Sequence, residues 1–139
     1  LTPSNILVDR NDRVTIIDFG FSQRSVRLSH SGADAFLGGT IGFAAPEQIS
    51  PAFGAISLKT DIYAVGGLVY WFLTGRPPHH NNCIADAIED TIAPISLDVT
   101  SFSKSSPVLY KILTSTLRKS PKERELAESD LQTLPALPL

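Results

Sequence analysis

The sequence predicts a mainly α-helical fold with one small β-hairpin at its N-terminus, and three observations carry that expectation. First, "NILV" (Asn5–Val8) and "RVTII" (Arg13–Ile17) are short runs rich in β-branched residues, separated by the turn-forming "DRND". Second, "DIYAVGGLVYWFLT" (Asp61–Thr74) is apolar nearly all round at helical spacing, as befits a helix in the middle of a core. Third, the remaining periodic stretches have helical rather than alternating patterns.

Taken in order, the second strand runs into "DFGF", where Gly20 lets the backbone turn sharply away. From Ser22 to Gly42 four serines and four glycines, without a consistent period, predict a long loop. Loops of that length in compact domains are usually functional. "FAAPEQIS" predicts a short helix with Pro46 in its first turn. The central helix is expected from Asp61 to Thr74, capped by Thr60 or Asp61, ended by Gly75 and blocked by "RPP". Gly66 and Gly67 inside it cost about 1 kcal/mol each relative to Ala, so another element is expected against the backbone there. Three shorter helices are predicted in "CIADAIEDTI", "SPVLYKILTSTL" and "ELAESDLQTL", the second with Val108, Leu109, Ile112, Leu113 and Leu117 along one side.

Composition narrows the functional classes. The 139 residues suit one domain, and 42% hydrophobic with 19% charged residues reads as globular rather than disordered. Twelve basic against fourteen acidic side chains give a net charge of −2, which argues against a nucleic-acid or anionic-membrane footprint. A single cysteine, Cys83, excludes an internal disulfide. The longest uncharged apolar stretch is Ile62–Leu73, shorter than the roughly 20 residues of a membrane span. The chain holds no methionine and opens on Leu1, so further sequence upstream is expected. His79, His80 and Cys83 supply three candidate ligands where structural zinc takes four, and a solvated loop is the expected reading.

The chemistry gathers at the hairpin. Asn5 opens the first strand and Asp18 follows the second, so an antiparallel pairing brings an amide oxygen and a carboxylate to one end. Both are hard oxygen donors of the kind that hold Mg²⁺ beside substrate phosphates; Asn and Asp at strand ends also serve simply as turn residues.

The surrounding text favours the first reading. "LTPSN" (Leu1–Asn5) fits the end of a protein-kinase catalytic loop, "DFG" (Asp18–Gly20) the magnesium motif, and "APE" (Ala45–Glu47) the close of an activation segment. "GTIGFAAPE" resembles the family's substrate-docking stretch, "TDIYAVGGLVYWFLTGRPP" its central buried helix, and "TLRKSPKER" the turn before its last helix. In this order and spacing the chain resembles the eukaryotic-type protein kinases, serine/threonine rather than tyrosine by Pro3 and by the Gly39–Thr40 pair.

The resemblance implies a partial kinase C-lobe over residues 1–134. The activation segment would span 18–47, the helical subdomain 58–134, and residues 135–139 would form a tail. It implies ATP and Mg²⁺ as cofactors and a protein as substrate. Asn5 and Asp18 would hold the metal, with Leu7 and Ile17 forming the floor under the adenine. Gly39 and Thr40 would present the substrate. Glu47 and Arg124 would form a buried ion pair, and Asp61 would hydrogen-bond back to the catalytic loop. Ser22, Ser25, Ser29 and Ser31 would lie in the activation loop, where phosphorylation or plain flexibility both fit.

Departures are also legible. Thr2 stands where most serine/threonine kinases carry a phosphate-contacting lysine, Ser120 replaces a usual acidic residue and Glu125 a usual proline. The catalytic base, an Asp, would lie directly before Leu1. The glycine-rich loop, the ATP-gripping lysine and glutamate, the hinge, the rest of the N-lobe and the first helices of the C-lobe, with the one that should pack against Ile62–Leu73, would lie further upstream. The expected activity is therefore phosphoryl transfer by the parent kinase, with these residues alone inactive and leaving an apolar patch uncovered. The alternatives are a pseudokinase scaffold and a non-functional piece. A cytoplasmic location is expected from the ATP requirement and the lone thiol.

Overall fold

The computed structural model describes residues 1–17, 41–79 and 106–133. Strand β1 (Ile6–Val8) pairs antiparallel with β2 (Val14–Ile16), in the register Ile6 with Ile16, Leu7 with Thr15 and Val8 with Val14. The turn closes as its residue types dictate. The Asp9 carboxylate accepts hydrogen bonds from the Asn11 and Arg13 amides at 2.8 and 3.0 Å, and Asp12 takes a φ of 59°. The hairpin carries Leu7, Val8, Val14, Ile16 and Ile17, all exposed. Strand chemistry made the ladder, while only Ile6 of the two strands is half-buried among the described residues.

Helix α1 (Pro46–Ile49) begins with Pro46 at its first position, as expected. Helix α2 (Leu58–Thr74) runs three residues further upstream than predicted. Its cap is Ser57, whose hydroxyl accepts from the Lys59 amide at 3.2 Å, while Thr60 Oγ1 accepts from the Ser57 amide at 3.1 Å. Thr60 and Asp61 thus lie inside the first turn. The other end is as expected: Gly75 adopts the left-handed conformation and its amide donates to the Trp71 carbonyl at 2.7 Å.

Helix α3 (Pro107–Thr116) buries Leu109, Ile112, Leu113 and Thr116, with Leu117 buried just past its end and Val108 only half-buried. It packs on α2, where the paired glycines sit. A Cβ at Gly66 would meet Thr116 Cβ at 2.8 Å, and one at Gly67 would meet Pro78 Cγ at 3.2 Å. The element expected against that backbone is therefore α3 on one side, with Phe43 and Pro78 on the other. Ala45, Tyr63, Tyr70, Leu113 and Leu117 form the core between them.

The last helix, α4 (Glu128–Gln132), is shorter than the ten-residue stretch predicted, with Leu131 exposed. The Lys111–Asp130 ion pair at 2.8 Å ties it to α3, on the surface, which adds little. Away from the core α2 exposes Trp71 and Phe72, and among the described residues no helix is long and apolar enough to cross a membrane. The predicted loop from Ser22 falls outside the described residues except for its last two, and the helix predicted at 83–92 does so entirely.

Candidate functional site

At the open end of the hairpin, Pro3–Asn5 forms a 3-10 turn in which the Asn5 amide donates to the Thr2 carbonyl at 3.0 Å. The pairing then continues one step beyond the strands, because the Ile17 amide donates to the Asn5 carbonyl at 2.8 Å. Asn5 and the residue immediately ahead of Asp18 are thereby joined. The side-chain oxygen of Asn5 accepts from Ser4 Oγ at 3.3 Å, which leaves an acceptor site on that oxygen for a hard cation. Strand alternation sets Leu7, Thr15 and Ile17 on one face of the hairpin, so the two apolar residues assigned to an adenine floor do share a surface. Asp18, Gly39 and Thr40 lie outside the described residues. Thr2 is buried, and its hydroxyl lies 2.9 Å from that of Ser4.

The second cluster ties residues 77 apart in sequence. Arg124 Nη1 and Nη2 donate to Glu47 Oε1 and Oε2 at 2.6 and 2.7 Å, a two-pronged pairing with both side chains fully buried. The other three N–H groups of Arg124 reach the carbonyls of Arg118, Lys119 and Lys59 at 2.6, 2.8 and 3.1 Å. All five guanidinium donors are used. The guanidinium also lies 4.7 Å from the centre of the Tyr63 ring. Asp61, in the first turn of α2, is exposed, and its side chain makes no hydrogen bond among the described residues.

Three participants were not anticipated. Thr60 Oγ1 donates to Glu47 Oε1 at 2.7 Å. Tyr63 hydrogen-bonds and stacks on His79, with 2.9 Å between hydroxyl and Nε2 and ring centres 6.2 Å apart. His79 is 2% exposed, which corrects the expectation of a solvated loop at that position; its amide donates to the Gly42 carbonyl at 3.1 Å. The usable signal was Tyr63 itself, since a tyrosine inside an all-round apolar helix must find a partner for its hydroxyl. Ser57 three residues before Thr60 was a second, as a short polar capping pair.

Burial pushes the Glu47 carboxyl up, but the hydrogen bonds from Arg124 and Thr60 outweigh it and hold the group below its ordinary value of 4.5. A carboxyl lowered on folding adds stability above its unfolded pKa and loses it as pH falls toward the folded one. Acid unfolding should therefore steepen below about pH 4.5, and Glu47→Gln should flatten that limb of the stability profile. Urea titrations between pH 3 and 7 measure it; parallel profiles for the two proteins would contradict it.

The model of the protein kinase domain family matches residues 1–133. The chain is 32% identical over 140 residues to the probable serine/threonine-protein kinase mkcE of Dictyostelium discoideum, covering 95% of this chain and 18% of that protein. It is 28% identical over 137 residues to serine/threonine-protein kinase PknD of Mycobacterium tuberculosis, covering 93% and 19%. With serine/threonine-protein kinase PLK4 of Drosophila grimshawi the identity is 32% over 130 residues, covering 93% and 16%. The chain thus spans less than a fifth of the length of each of these relatives. With the family model matching residues 1–133 of the chain, and a helical body behind an N-terminal hairpin among the described residues, the chain belongs to the protein kinase domain family.

Proposed function

We propose that these residues are the C-lobe part of a larger serine/threonine protein kinase that transfers phosphate from ATP to protein hydroxyls, with Mg²⁺ as cofactor and the cytoplasm as its location. The observation that carries the reading is the bond between the Ile17 amide and the Asn5 carbonyl, which joins Asn5 to the residue directly ahead of "DFG" in the sequence. In this reading Asn5 and Asp18 hold the metal, which neutralises phosphate charge when bound. Leu7 and Ile17 support the adenine from their shared face. Gly39 and Thr40 present the substrate hydroxyl, and the Thr40 hydroxyl steadies the catalytic loop. Asp61 bonds back to that loop from the start of α2. The protein contributes positioning and charge rather than covalent chemistry, which is what phosphoryl transfer requires.

The test is transfer of radiolabelled phosphate from ATP to a protein substrate by the full-length protein. Asp18→Ala should lower transfer by about 10²-fold or more, and Asn5→Ala should lower it in the same direction. Transfer that survives Asp18→Ala rules the mechanism out.

A second reading, a pseudokinase that binds without transferring phosphate, is favoured by Thr2. Its buried hydroxyl lies against Ser4, where a phosphate-contacting cation is the usual residue. The same assay separates the two, because a pseudokinase transfers nothing even with every residue in place.

A further inference from the structure

Resting on the kinase reading, we propose that Thr60 is a positioning residue for protein-substrate binding, holding the segment that ends at Glu47 in register along α2. That segment lies against successive turns of the helix. Gly67 approaches Phe43, where an added Cβ would lie 3.4 Å from the Phe43 ring. Tyr63 shares its core cluster with Ala45. Thr60 takes the Glu47 carboxylate at 2.7 Å. From Gly67 to Thr60 is two helical turns, about 10 Å along the axis. Residues 43–47 are all buried, so the stretch is seated in the core rather than laid over it.

Arg124 and Thr60 hold Glu47 in different ways. Arg124 reaches it from the far end of the chain and ties it to the carbonyls of residues 118 and 119, with one further donor on the Lys59 carbonyl in the first turn of α2. That contact anchors Glu47 to the turn after α3. Among the described residues Thr60 is the α2 side chain that hydrogen-bonds the carboxylate directly, and it does so with a hydroxyl already committed at its other side. Oγ1 accepts the Ser57 amide at 3.1 Å while donating its proton to Glu47 Oε1. The proton can point only one way in this arrangement, so the cap of α2 and the end of the docking segment share one oriented group. Asp61 is the next residue along the helix. A valine at position 60 keeps the shape, removes the donor, and leaves both the carboxylate oxygen and the Ser57 amide short of a partner.

The test uses the full-length protein as wild type, Thr60→Val, Thr60→Ser and Thr60→Ala. It reads hydrogen exchange of peptides spanning 41–49 and 107–116, and KM for a peptide substrate and for ATP. With Thr60→Val, exchange should rise in 41–49 and not in 107–116. KM for the peptide should rise about tenfold, the factor corresponding to one hydrogen bond to a buried charge, with KM for ATP unchanged. Thr60→Ser should restore both, and Thr60→Ala stands in should the valine variant not fold.

Unchanged exchange in 41–49, an equal rise in 107–116, or equal movement of both KM values would overturn the proposal. So would failure of the valine and alanine variants to fold where the serine variant does, since the hydroxyl would then be a general stability element. If the wild type transfers no phosphate, the kinase reading fails, and the exchange comparison alone decides whether Thr60 holds the segment.

Discussion

Replacing Arg124 with Ala should lower the stability of the domain by about 3–5 kcal/mol, the cost of leaving one member of a buried ion pair without the other. The structure shows why the loss is large. The Glu47 carboxylate would keep Thr60 but lose both guanidinium donors, and the carbonyls of Arg118, Lys119 and Lys59 would lose theirs. The face of Tyr63 would also open onto a cavity. Arg124→Lys should recover little of this, because one ammonium cannot reproduce five donors in a planar fork. Urea unfolding of the full-length protein, followed through the transition of this domain, measures the effect. In a cycle with Glu47→Gln the second substitution should cost less than the first, since no orphaned charge remains. A shift for Arg124→Ala within about 0.5 kcal/mol of wild type, the range of an ordinary surface change, would mean that the pair does not hold the fold.

Gly66→Ala should also destabilise, although alanine is the better helix former by about 1 kcal/mol. The added methyl would lie 2.8 Å from Thr116 Cβ and against Thr116 Oγ1. The hydroxyl cannot simply turn away, because it donates to the Ile112 carbonyl at 2.7 Å, and Cβ moves only if α3 moves. Overpacking of this kind costs about 1–3 kcal/mol or more, so a net loss is expected. Gly67→Ala is the built-in comparison. Its nearest neighbour would be a proline ring carbon at 3.2 Å, which can give by a few tenths of an ångström, so a change near zero is expected. Thermal unfolding of both variants checks the ordering; equal shifts would show that α2 and α3 are not packed through Gly66.

Much of the fold could be read from short-range pattern. The two strands, the proline-led helices at Pro46 and Pro107, and the Gly75 stop depend on neighbouring residues, and neighbours are what a sequence displays. The paired glycines announced a close approach without naming what approached. Leu58 shows the limit of that reading: it is 82% exposed, so the first turn of α2 is held by the Ser57 cap rather than by burial, and the helix starts ahead of the apolar run. At the other end of the chain, "ELAESDLQTL" had helical spacing, but only Glu128–Gln132 is helical and its apolar Leu131 finds no core.

The site divides along the same line. The order of "LTPSN", "DFG" and "APE" pointed to Glu47 and, through the family's pattern, to Arg124, the pair found buried together. No periodicity links Glu47 to a residue 77 positions later. His79 and Thr60 had no such pattern behind them. A histidine after two prolines reads as loop, and it is buried because Tyr63 offers it a hydroxyl and an aromatic face. By itself, then, the sequence determined the element types, their order and the family. Tertiary structure decided which polar groups are buried and with whom. Backbone preference is set by adjacent residues, whereas a buried polar group is tolerated only where distant segments bring it a partner.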